Sequence, residues 1–142
     1  MHAERLLKLA DLLEADAARP DGIKFDLGTW GRWRNGEAPS LSCGTTACAM
    51  GLAALSGSFA EDGLTYAIEW LPDRTIGGYG GISVKFDDQY NLDAAAQLFG
   101  ITGEAADFLF VPDAYDVTPV GAEGECVVAQ RIRDFVAGRV QP

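Results

Sequence analysis

Residues 43 to 51 read Cys-Gly-Thr-Thr-Ala-Cys-Ala-Met-Gly, and a thiol at the start of a helix is a recognisable chemical arrangement. Backbone N–H groups and the helix dipole there stabilise a thiolate, which is the nucleophilic form of cysteine. Cys43, followed by Gly44, has that pattern. A cysteine nucleophile also needs a base to take its proton and return it to the leaving group. The chain has one histidine, His2, in an N-terminal segment of the kind that commonly frays.

The arrangement is similar to papain-like thiol peptidases, in which a cysteine opens a central helix and a glycine admits substrate. That likeness implies a histidine partner which only His2 could supply. Metal binding is no better served. Structural zinc sites take four Cys or His ligands at close spacing, whereas Cys43 and Cys48 are five positions apart and Cys126 is distant. On a helix that spacing separates the two side chains by roughly 140° and their Cα atoms by about 8.7 Å, outside disulfide range. The run Asp87, Asp88, Gln89, Asn91, Asp93 lacks the spacing and glycine of a calcium loop. We therefore expect no metal and no cofactor.

A second cluster, Trp30, Arg32, Trp33 and Arg34, is the one place where basic and large aromatic side chains interleave. Arginine and tryptophan dominate binding hot spots and stack on one another. These four residues are the candidate binding set. The competing reading folds Phe25, Trp30 and Trp33 onto the helices as anchors for a long loop.

The net charge of −10 is unevenly distributed: no Lys or Arg lies between Lys85 and Arg131, against nine acids from Asp87 to Glu125. Phosphates would be repelled by that half, which argues against nucleic-acid binding and leaves a protein as the expected partner. Glu4, Arg5, Lys8 and Asp11 interrupt any secretory signal, and no apolar run approaches the ~18 residues of a membrane span. Three cysteines without a regular framework suit a reducing compartment. The expectation is a cytoplasmic protein with free thiols and no membrane association.

The elements that must position these groups follow from periodicity. Leu6, Leu9 and Leu13, with charged residues between them, predict an amphipathic helix over 3–18, ended by Pro20 and Gly22. The apolar and small residues of 43–56 predict a buried central helix closed by Gly57. Alternation in 64–70 and 82–86 predicts one antiparallel β-hairpin. Asn91 caps a helix to Phe99, Thr102 caps another to Phe110, and Thr118-Pro119 opens a last helix with Val127, Val128, Ile132, Phe135 and Val136 inward. At 142 residues the chain buries roughly two-thirds of its unfolded surface as one domain. The expected fold is helix-dominated α+β: about five helices around the 43–56 helix, with one hairpin, in a single globular domain over 1–142.

The cysteine segment also resembles a Cys-Gly-Thr-x-x-Cys-x-x-Gly signature of a family of small uncharacterised bacterial and phage proteins. The likeness extends to Phe25, Trp30, Leu98-Phe99-Gly100, Leu109-Phe110 before Pro112, and Thr118-Pro119, with Leu52 where an aromatic often follows the motif glycine. It implies a bacterial or phage setting and no catalytic residues. The preferred function is thus a non-enzymatic accessory or regulatory protein that binds another protein. The alternative is a thiol-dependent hydrolase or transferase using Cys43.

Overall fold

The computed structural model describes residues 1–34, 41–42, 44–71 and 79–142. In chain order the elements are α1 (Ala3–Ala17), β1 (Lys24–Phe25), β2 (Arg32–Arg34), β3 (Thr45–Ala47), α2 (Ala49–Ser56), β4 (Leu64–Leu71), β5 (Tyr79–Phe86), β6 (Gln89–Tyr90), α3 (Asn91–Phe99), α4 (Gly103–Phe110) and α5 (Gly121–Val136). A short 3-10 turn, Pro112–Ala114, separates α4 from α5. The fold is α+β.

The strands form one six-stranded sheet in the order β1-β3-β2-β5-β4, with β6 pairing beside β5. The expected hairpin is present as β4 against β5, from Leu64 opposite Phe86 to Leu71 opposite Tyr79. It is one part of a larger sheet rather than an isolated ribbon. β2 joins it to the rest, pairing antiparallel to both β3 and β5, and β1 runs parallel to β3. These added strands are two or three residues long, below the length at which alternation can be read.

The central-helix expectation needs correction at its start. α2 begins at Ala49, and residues 45–47 are strand β3. The β-branched Thr45 and Thr46 favour an extended backbone, and Thr45 is buried in the sheet. Cys48, itself extended, caps α2: its sulfur accepts the Gly51 N–H at 3.4 Å. The helix then runs eight residues, with Ala49 to Ala54 all buried, and ends at Gly57 in the left-handed conformation.

The core also contains Leu6, Leu9 and Leu13 of α1, Leu98 and Phe99 of α3, Leu109 of α4, and Val128 and Ile132 of α5, all fully buried. Phe99 stacks on Phe110 and meets Phe59 edge to face. α4 starts as expected, with Thr102 Oγ1 accepting the Ala105 N–H at 3.1 Å. α5 starts at Gly121 rather than at Pro119, because Val120 is held in an extended bridge to Asp26. Val127 is correspondingly half exposed while Val128 is buried. Arg133 ties α5 to α1, reaching Asp11 at 2.6 Å and Glu14 at 3.1 Å. Among the described residues no helix is long and apolar enough to cross a membrane.

Candidate functional site

The segment from Asp26 to Arg32 is fixed almost entirely by its backbone. Asp26 N–H donates to Ala47 O, Leu27 N–H to Pro119 O, and Gly28 N–H to the Asp26 carboxylate at 2.9 Å. Thr29 O accepts the Cys48 N–H, and Gly31 O accepts the Ile82 N–H at 3.1 Å. The Trp30 carbonyl sits on Gly51: a Cβ there would lie 1.6 Å from its oxygen. Cys48 and Gly51, five and eight positions into the cysteine segment, thus serve as a clasp for the Trp30 turn. Cys48 and Gly51 are explained by packing, and the chemistry of Cys48 is quiet. Burial pushes the Cys48 thiol up to about 11, against a smaller lowering by the backbone N–H of Gly51, so the sulfur stays protonated.

So held, Trp30 stands half-buried between two adjoining clefts. One, of about 340 Å³, is floored by Gly28, Gly31 and Gly81 and edged by Arg32, Glu69 and Ser83. The other, of about 610 Å³, is bounded by Tyr90, Asn91, Asp93, Gly103 and Asp107. Trp30 and Asn91 belong to both. Asn91 keeps a left-handed backbone, φ 55°, while its side-chain oxygen accepts the Val84 N–H at 3.2 Å, which anchors the start of α3 against β5. Ser83 Oγ donates to Glu69 at 2.7 Å. Asp93 and Asp107 are exposed and make no ion pair among the described residues. Lys85 Nζ lies 5.8 Å from the centre of the Tyr90 ring. The groove therefore offers two aromatic rings and several carboxylates.

The four candidate binding residues are not used alike. Trp30 lines both clefts, and Arg32 is exposed at the edge of one. Trp33 points the other way, 6% exposed, with its ring against Gly80, where a Cβ would lie 2.5 Å from it. It is a core residue. The Arg34 side chain and Cys43 lie outside the described residues. His2 is ordered rather than frayed: its N–H donates to Phe99 O at 2.7 Å and its ring packs beside Gly100. No group of three or more Cys, His, Asp or Glu side chains is placed to hold a metal among the described residues.

One pair of titratable groups had no sequence signal. Asp16 of α1 and Glu125 of α5 are 4% and 1% exposed, and each leaves a carboxyl oxygen without a partner. Burial, and next the neighbouring Asp16 carboxylate, push the Glu125 carboxyl up to about 9. A hydrogen bond between two carboxyls requires one to keep its proton, and Glu125 keeps it. Arg19 Nη1 lies 3.4 Å from Asp16 Oδ1. The pair sits inside the α1–α5 contact, away from the Trp30 groove, and acts on stability.

No protein-family model, curated protein or solved structure matches this chain.

Proposed function

We propose that this is a non-enzymatic accessory or regulatory protein of bacterial or phage cytoplasm that binds another protein through the Trp30 groove. The observation that carries the reading is the sharing of Trp30 and Asn91 by the two clefts. It joins the Trp30 loop to the acidic half of the chain in one surface. Asp93, Asp107 and Glu69 outnumber Arg32 on that surface and leave it net negative, and Trp30 and Tyr90 give it π faces. A lysine- or arginine-bearing segment of a partner matches both features, through charge pairing and cation–π contact. The same carboxylates repel a nucleic-acid backbone.

The reading is tested with a fluorescein-labelled hexa-arginine peptide followed by anisotropy. Exposed charge pairs contribute up to about 1 kcal/mol each, so Asp93→Asn with Asp107→Asn should weaken binding about tenfold. Trp30→Ala should weaken it further. Asp113→Asn with Asp116→Asn removes the same charge outside the groove and should change affinity less than twofold. Equal losses in the two double variants would show diffuse attraction to an acidic protein and overturn the groove.

A further inference from the structure

Strand β4 ends the sheet. It pairs along its whole length with β5, and no other described strand pairs with its outer edge. Tyr66 and Ile68 stand opposite Val84 and Ile82 on the face that is covered over β5, where those two partners are 0% and 5% exposed. One strand further out the cover stops: Tyr66 is 37% exposed and Ile68 64%. Thr65, Ala67 and Glu69 on the other face are exposed as well. Natural edges are guarded by proline, lysine, a bulge or a covering element. Residues 64 to 71 contain no proline, lysine or arginine, and the register to β5 is unbroken.

Among the described residues nothing pairs with that edge, where an added extended strand would satisfy a whole row of backbone N–H and C=O groups, and Tyr66 and Ile68 suit a copy of the same strand. We propose that β4 pairs antiparallel with β4 of a second copy of this chain, about a twofold axis at Ala67, continuing the sheet across a dimer. That register sets Tyr66 opposite the second copy's Ile68, and Ile68 opposite its Tyr66. Aromatic and β-branched pairs of this kind are favourable across strands. It sets Thr65 opposite Glu69, so no like charges meet. A slip of one residue would turn the apolar row to the opposite face.

Charge selects the occupant. In a chain of net charge −10 the strand carries one carboxylate, Glu69, already held by Ser83 Oγ at 2.7 Å. A basic partner finds little to pair with, while a second copy meets no repulsion at the contact. The strand is about 27 Å long, so the contact falls at the small end of specific interfaces and the dimer is a reversible one. Repulsion between the two acidic bodies is screened by salt, which strengthens the association. The inference is independent of the Trp30 groove.

Sedimentation equilibrium of the whole protein from 5 to 500 μM, in 50 and 300 mM NaCl, tests it. The expected result is a monomer–dimer equilibrium that tightens with salt and weakens at least tenfold in Ile68→Lys, whose thermal midpoint should match the parent because the site is exposed. Air oxidation supplies the register. In a Cys43→Ser, Cys126→Ser background, Ala67→Cys should form a disulfide-linked dimer readily, since residues directly opposite have Cα atoms about 4.5–5.5 Å apart, within disulfide reach. Thr65→Cys should not. A monomer at 500 μM, a dimer indifferent to Ile68→Lys, or equal oxidation of the two cysteine variants would each overturn the proposal.

Discussion

Replacing Glu125 by glutamine should make the protein more stable at neutral pH and leave it nearly unchanged near pH 4.5. In the folded chain the Glu125 carboxyl is held up to about 9 by burial and by Asp16, against an ordinary value of 4.5. Between those two pH values the folded state keeps a proton that the unfolded state releases. The stability associated with this group is therefore fully present below about pH 4.5 and is lost steadily as pH rises toward 9. Each pH unit corresponds to about 1.4 kcal/mol, so the loss reaches at most about 3 kcal/mol at pH 7. Glutamine cannot ionise, fills the same space, and offers Asp16 an N–H donor in place of the carboxyl proton. Urea unfolding followed by tryptophan fluorescence at pH 5, 6, 7 and 8 reads the difference between parent and variant, which cancels the other titrating groups. The gap in favour of Glu125→Gln should reach roughly 2–3 kcal/mol at pH 7, about 10 °C in thermal midpoint for a domain of this size, and be wider still at pH 8. A gap independent of pH, or a variant less stable than the parent at pH 8, would refute a proton held between Asp16 and Glu125.

Two further outcomes follow from the clasp under Trp30. Gly51→Ala puts a methyl into the Trp30 carbonyl, 1.6 Å away, and should cost about 2–4 kcal/mol in urea unfolding while altering tryptophan emission. Cys48, buried and pushed up to about 11, should resist iodoacetamide at pH 8 in the native protein and react only on unfolding, whereas exposed Cys126 should be alkylated in both states, as peptide mass mapping can follow.

The parts of the fold that were legible in the sequence are those with long periodic stretches or strong end signals. Leu6, Leu9 and Leu13 define α1 by their spacing, and Thr102 with Gly100 brackets the α3–α4 turn. The alternation of Leu64, Tyr66, Ile68 and Trp70 marks β4, and each of these four has an apolar or glycine partner on β5. The segment 45–47 misled because small residues suit a buried strand as well as a buried helix, and cysteine is not among the usual capping residues that would have marked the start at Ala49. Trp30 and Trp33 could not be separated by composition. A three-residue strand decides between them: Trp33 turns inward and Arg32 outward by the two-residue period, while Trp30 lies before the strand begins. Asp16 and Glu125 carry no signal in their neighbourhoods, since their meeting depends on how α1 and α5 pack. The Trp30 groove was half legible. Its loop and its acids could each be named, but their junction at Asn91 rests on a left-handed residue anchored to β5.

Reception of basic side chains by the Trp30 groove is tested residue by residue in a ¹⁵N-edited NMR titration of the whole protein with hexa-arginine. The expected result is saturable shifts of the Trp30 indole N–H and of the Asn91, Asp93, Gly103 and Asp107 amides, with Asp113, Asp116 and Glu123 nearly still. An unmoved Trp30 indole, or shifts spread evenly over the acids from Asp87 to Glu125, would contradict it.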